Sequence, residues 1–193
     1  MNYRDFLYCY NQQVLSLHFE DQLDFAVTVC KKLFFDYEIF SKRYQFGNPD
    51  QLLDAILVCE KAKLNQVDKL ILEQFIEAIN SITPDMDDFG DEISSYALNA
   101  CVAVYETLQF LVDHNPKHVH DVGICLSDTV DFKIQESGDL TEQQIDEHPM
   151  MIEARSFLVD QTKKDYNTML TEKTYKIKHG FRKIFNFRKW GTY

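Results

Sequence analysis

Apolar residues recur along this chain at steps of three and four, the spacing of one face of an α-helix. Leu23, Ala26, Cys30, Leu33, Tyr37, Phe40 and Tyr44 make the longest stripe, and it predicts a helix of about 25 residues. The stripe stops at Phe46-Gly47-Asn48-Pro49-Asp50-Gln51. Gly47 suits a left-handed position after the helix. Asn48 suits the next N-cap, Pro49 its first turn, and Gln51 is placed to reach back as a capping-box partner. Leu52, Ile56 and Cys59 predict the helix that follows. Another starts near Gln66, with Leu72, Phe75, Ile76 and Ile79 inward. Residues 81–91 read as a loop around Pro84 and Gly90. Ile93, Ala97, Ala100, Val104, Leu108 and Leu111 form the next stripe, and its small residues (Ala97, Ala100, Cys101, Ala103) allow a neighbouring helix to come close. Asn115-Pro116 repeats the cap-plus-proline start ahead of Val119, Val122, Leu126 and Val130. Gly138 breaks the chain, Thr141 and Gln144 form a capping box, and Pro149 opens a last core helix with Met151, Ala154, Leu158 and Met169 inward. There is no alternating strand pattern and no repeat of helix-pair length. The pattern predicts an all-α fold: a single-domain multi-helix bundle of about seven or eight helices over residues 1–172, then a basic amphipathic segment over 173–193.

Composition agrees with one globular domain. The 193 residues are 45% hydrophobic, and six Gly with four Pro are too few for a turn-rich all-β fold. Charge adds something the pattern does not. Acidic residues number 31 against 20 basic ones, a net charge of −11. Residues 173–193 hold seven basic side chains and no acidic one, so a body of net −18 carries a tail of +7. An acidic body repels phosphate backbones, so nucleic acid is not an expected partner. Cys9, Cys30, Cys59, Cys101 and Cys125 are odd in number, widely spaced and without C-x-x-C, which predicts buried reduced thiols rather than disulfides or a zinc knuckle. The start Met-Asn-Tyr-Arg-Asp is not a signal sequence, and no apolar run reaches the about 18 residues of a membrane span. The expected address is a reducing cytoplasm.

Three constellations bear on chemistry. Asp85-Met86-Asp87-Asp88-Phe89-Gly90 has the acids and glycine that begin a calcium loop, but Phe89 offers no oxygen, and Tyr96 stands where a bidentate Glu is required. A solvated acidic loop is expected, with Asp91 and Glu92 favouring the following helix N-terminus. His114, His118 and His120 crowd one helix start. His118 and His120 are two apart and point to different sides of a helix, so a metal there needs a ligand from elsewhere. Asp128 and Asp131, three apart, can share a face, and paired carboxylates do acid–base work or hold a metal when buried. No G-x-S-x-G, H-E-x-x-H, P-loop or G-x-G-x-x-G is present. Nothing favours a Cys–His nucleophile pair, and neither cofactor nor metal is expected.

In the tail, Ile177, Phe181, Ile184 and Phe185 share one helical face, ringed by Lys176, Arg182, Lys183, Arg188 and Lys189, with Trp190 near the end. A basic amphipathic helix with aromatics reads as a binder of an anionic partner or membrane surface, or as a segment that folds back on the acidic body. The candidate partner-binding residues are Lys176, Phe181, Arg182, Lys183, Phe185, Arg188, Lys189 and Trp190.

Leu23-Asp-Phe-Ala-Val-Thr-Val-Cys-Lys-Lys-Leu33, then Asp36-Tyr37-Glu38-Ile39-Phe40 and Phe46-Gly47-Asn48-Pro49, resemble the opening helices of the bacterial YjaG-like family (domain of unknown function 416). Asp128-Thr129-Val130-Asp131 and His148-Pro149-Met150-Met151 agree as well. The chain departs from the family at Phe35-Asp36, where Pro-Asn is usual, and at Lys31-Lys32, where Glu-Arg is usual. The resemblance covers about residues 20–170 and implies an all-helical bacterial cytoplasmic protein associated with signalling, with no catalytic residues to carry over. The expected function is a non-enzymatic protein–protein interaction or regulatory module. The alternatives are an immunity-type inhibitor of a basic toxin, to which the acidic surface would steer, and a metal-dependent hydrolase using Asp128/Asp131 or His118/His120.

Overall fold

The computed structural model describes residues 2–64 and 66–162. These form eight α-helices: α1 (Tyr3–Ser16), α2 (Phe19–Tyr44), α3 (Pro49–Lys61), α4 (Lys69–Ile82), α5 (Glu92–Asp113), α6 (Pro116–Gln135), the short α7 (Glu142–Asp146) and α8 over residues 149–162. The all-α bundle expected from the pattern is what forms. No helix among the described residues is long and apolar enough to cross a membrane.

Local capping sets most boundaries. Asn48 accepts from the Gln51 N–H at 3.2 Å, with Pro49 in the first turn. Asn115 accepts from the Lys117 N–H at 3.1 Å, with Pro116 beside it. Thr141 and Gln144 complete a reciprocal capping box on α7. Two boundaries differ from the sequence expectation. α4 starts at Lys69 rather than near Gln66, because Asp68 accepts from the Leu70 N–H at 2.8 Å and so caps it. The left-handed residue ending α2 is Gln45 (φ 51°), two before Gly47. Its side-chain amide donates to the Lys42 carbonyl at 2.8 Å and satisfies one of the orphaned helix-end acceptors.

Gly47 is needed for a different reason. Its φ is +76°, and a Cβ there would lie 2.1 Å from Tyr37 Oη. That hydroxyl, on a fully buried ring, donates to the Ile82 carbonyl at 2.9 Å and accepts from the Asn48 N–H at 3.2 Å. One phenol therefore ties the end of α4 to the α2–α3 turn.

α5 packs on α2, α4 and α6, and α2 packs on α3, α5 and α6. The α5 face is built from Ala97, Ala100 and Ala103, all buried, so the neighbouring helices approach closely. Thr107, also buried, bonds its own helix at Ala103 (2.8 Å) and meets Cys30 Sγ at 3.2 Å. The stripes of α2, α3 and α6 are buried as expected except at their C-terminal members Tyr44 and Val130, which are half-buried. Within α4, Leu72 and Ile79 are buried, whereas Phe75 and Ile76 are half-buried. Lys133 on α6 reaches the nearly buried Asp36 on α2 with both oxygens in range, at 2.7 and 2.8 Å.

α1 docks through Phe6, Tyr10 and Val14, all fully buried. Tyr10 shares its hydroxyl proton between the carbonyls of Val119 and His120, each at 3.2 Å. The ring tip fits over Gly123 of α6, where a Cβ would be 2.0 Å from Tyr10 Oη. A glycine in mid-helix is thus the slot that receives α1.

Candidate functional site

The acidic loop after α4 is held by an aromatic anchor. Phe89 enters a cluster with Phe40, Tyr44 and Phe46, at ring distances of 5.1, 5.0 and 4.9 Å. Asp85 turns its carboxylate onto the Asp87 N–H at 2.9 Å. Asp91 pairs with Arg43 at 3.0 Å and accepts from Ser94 at 3.0 Å. These carboxylates shape the loop and its junction with α5.

The histidines separate. His118 sits between two carboxylates of α5, with Nδ1 at 2.5 Å from Glu106 and Nε2 at 3.1 Å from Asp113. Burial works against its charged form, but the hydrogen bonds to Glu106 and Asp113 outweigh that and raise its pKa. His120 instead lies tilted against the Tyr10 ring (5.3 Å between centres) and bonds Asp121 at 3.1 Å. The two rings share no partner, and among the described residues no three His, Cys, Asp or Glu side chains are grouped to hold a metal. The thiols are unpaired and four of the five are buried. Burial pushes Cys30 and Cys101 up to about 12, which keeps them as thiols.

Asp128 and Asp131 fare differently. They line a partly open hollow of about 300 Å³ between α1, α6, α7 and α8, together with Tyr3, Ser127, Glu142, Asp146, Met151 and Arg155. Arg155 is only 5% exposed. Its Nη2 pairs with Asp146 Oδ1 at 2.7 Å, and its guanidinium lies 5.5 Å from the ring centres of both Tyr3 and Phe6. The second oxygen of Asp146 accepts from the Tyr3 N–H at 3.3 Å. Asp131 Oδ2 accepts from Gln135 at 3.0 Å, while Oδ1 is sealed from solvent without a hydrogen-bond partner. Burial, then the charge of Asp131, raises the Asp128 carboxyl above its ordinary value. Burial and the charges of Asp128 and Asp131 also raise the Tyr3 phenol, against the opposing charge of Arg155.

Sequence spacing found Asp128 and Asp131 and missed Tyr3, Glu142, Asp146 and Arg155. A signal did exist for one of them. Arg155 lies four residues after Met151 and next to Ala154, inside the apolar stripe of α8, where a charge demands a buried partner.

A larger groove, about 760 Å³, runs between the start of α2, the end of α5 and the α3–α4 turn. Phe19, Leu72, Leu111 and Val112 supply apolar lining, and Glu20, Lys63, Asp68 and Lys69 polar lining. Leu64 on its wall is 85% exposed, and Leu70, beside the lining Lys69, is 68% exposed. The tail residues Lys176, Phe181, Arg182, Lys183, Phe185, Arg188, Lys189 and Trp190, and Met169, lie outside the described residues.

Comparison with known proteins gives a family and a fold. Residues 9–179 match the family model described as "Protein of unknown function (DUF416)". A crystal structure of a DUF416 family protein from Shewanella baltica OS155, at 1.91 Å resolution, is similar with a TM-score of 0.72 and 20% identity. The match covers 79% of this chain and 81% of that one. No curated protein matches the chain.

Proposed function

This chain belongs to the DUF416 family of proteins of unknown function, and from that premise we propose that it is a protein–protein interaction module rather than an enzyme. The observation that carries this reading is the groove beside α4. Apolar side chains line it alongside charged ones, and two large aliphatic side chains, Leu64 in its lining and Leu70 next in sequence to the lining Lys69, are left mostly in water. Exposed aliphatic groups gathered beside a concave surface mark contact sites. The partner we infer is a protein that presents basic residues around an apolar anchor. An acidic chain of net charge −11 draws such a partner in over distance and repels acidic ones. The tail residues Lys176 to Trp190 named above are proposed as a second contact, toward an anionic surface.

The test is capture from the native cytoplasm by the full chain, by Leu64→Asp and Leu70→Asp, and by a chain ending at residue 172, each at low and high salt. The reading expects a partner held at low salt, released at high salt and lost with either aspartate. Capture that ignores both substitutions and the salt, or no partner in any arm, removes it.

A further inference from the structure

The inward face of α1 is committed to the bundle through Phe6, Tyr10 and Val14, while its outward face is exposed. The run Leu7 to Leu17 holds no charged residue, in a chain that is 26% charged. A comparable run, Ile93 to Tyr105, belongs to α5, which is packed by α2, α4 and α6, and none of its residues is exposed. The run on α1 is covered on one side only. Tyr8, Gln12, Leu15 and Ser16 stand exposed in it, Tyr8 at 70% and Leu15 at 51%. Steps of four, three and four put Arg4, Tyr8, Asn11 and Leu15 in one outward stripe. Beside it lies a shallow open trough of about 490 Å³, with Leu7 and Leu15 on one wall and Pro116 and His120 of α6 on the other. Lys117 in that lining is already paired with Asp121 at 2.7 Å.

We propose that this face of α1 binds the same face of a second copy of the chain, the two α1 helices running antiparallel about a twofold axis. The charge pattern selects a second copy. Two bodies of net −11 repel each other wherever acids face acids, so an identical chain meets least resistance where the surface carries none. A basic partner gains nothing from a face without carboxylates. Self-complementarity supplies the fit. A twofold axis level with Asn11 and Gln12 sets each Tyr8 against Leu15 of the other copy. A protruding ring beside a trough gives each copy both the knob and the hole. At the axis, the amides of Asn11 and Gln12 both donate and accept, so they can bond across it, which paired carboxylates cannot. The antiparallel sense keeps the two Arg4 side chains about 22 Å apart along the helices and sets the helix dipoles head to tail. α1 itself is only about 21 Å long, so the contact is smaller than a standard interface and the dimer is weak, with a Kd on the order of 100 μM.

The test is sedimentation equilibrium of the full chain from about 5 μM to about 1 mM, at low and high salt. The weight-average mass should climb with concentration from 22.7 kDa toward twice that. Added salt should tighten the dimer, because it screens the repulsion between the acidic bodies. Salt releases the basic partner of the interaction reading instead, so the two contacts stand or fall separately. Tyr8→Glu and Leu15→Glu should each weaken association by roughly tenfold or more, since the twofold axis brings every substitution into the contact twice. Phe35→Glu on α2 and Leu64→Asp beside the groove, both at exposed apolar positions elsewhere, should leave it unchanged. Thermal melting of each variant shows that the fold is kept. A second measurement needs no loss of function. In a Cys9→Ser background with diamide as the oxidant, Asn11→Cys should give a disulfide-linked dimer, and Ser81→Cys, exposed on α4, should not. The proposal is overturned by a chain that stays monomeric up to about 1 mM, by a dimer that both α1 substitutions leave intact, by one that Phe35→Glu or Leu64→Asp abolishes, by one that salt loosens, or by equal cross-linking at positions 11 and 81.

Discussion

In an ordinary helix interior, alanine is better than glycine by about 1 kcal/mol. At position 123 the structure reverses that sign. A Cβ on Gly123 would stand 2.0 Å from Tyr10 Oη, 2.5 Å from Cζ and 3.2 Å from Cε1. The ring cannot swing aside freely, since Tyr10 is fully buried, stacked on Phe6 at 5.5 Å and packed on Phe25 at 5.9 Å. Forcing an extra methyl into a closed core costs about 1–3 kcal/mol. Displacing the phenol from the Val119 and His120 carbonyls adds about 1–2 kcal/mol. Less the propensity gain, Gly123→Ala should destabilise by about 2 kcal/mol, within a range of about 1–4 kcal/mol. Urea unfolding followed by far-UV circular dichroism reads this as a lower midpoint at unchanged slope. Gly90→Ala is the control, because a Cβ there meets nothing within 4 Å. Tyr10→Phe in the Gly123→Ala background removes only the nearest atom and leaves Cζ at 2.5 Å, so it should restore little. Tyr10→Leu removes the ring tip and should restore more relative to its own single variant. A Gly123→Ala midpoint equal to or above the parent's would refute the slot.

Tyr37→Phe keeps the ring and deletes the hydroxyl that bonds Ile82 and Asn48. The Ile82 carbonyl and Asn48 N–H then lose their shared partner, for a loss of about 1–2 kcal/mol by the same unfolding assay; no change would mean that water takes over both bonds. His118 predicts a pH dependence. Its folded pKa is raised above the unfolded value, so its contribution is complete below about 6.5 and fades as pH climbs through the folded value. Unfolding midpoints should show this fall on the alkaline side in the parent and a flatter profile in His118→Gln. Identical profiles would show that the Glu106 and Asp113 contacts contribute nothing.

What the sequence revealed, and what it hid, divides by distance along the chain. Asn48 with Pro49, Asn115 with Pro116, and Thr141 with Gln144 act on backbone groups within three residues, so their role is readable wherever they occur. The stripe from Leu23 to Tyr44 is legible because one face of one helix is buried from Leu23 to Phe40 and half-buried at Tyr44. Gly123 is the opposite case. As a sequence feature it marks a weak point in a helix, and only the arrival of Tyr10, 113 positions earlier, explains it. The cavity is hidden for the same reason. Asp128 and Asp131 share a helix and announce themselves, whereas Tyr3, Asp146 and Arg155 reach them only through packing. Gln45 is a local addition the spacing did not show: Gly47 is left-handed as expected, but the left-handed residue directly after α2 is Gln45, whose side chain bonds Lys42.

The seating of α1 has a consequence for synthesis. Its hydroxyl acceptors on Val119 and His120 are 109 and 110 residues downstream. At about 5–20 residues per second, α1 leaves the ribosome roughly 5–20 s before its receptor exists. Through that interval Phe6, Tyr10 and Val14 travel uncovered on the nascent chain, ready for a chaperone or for a neighbouring polysome's product. A helix made more than a hundred residues ahead of its receptor is thus seated late.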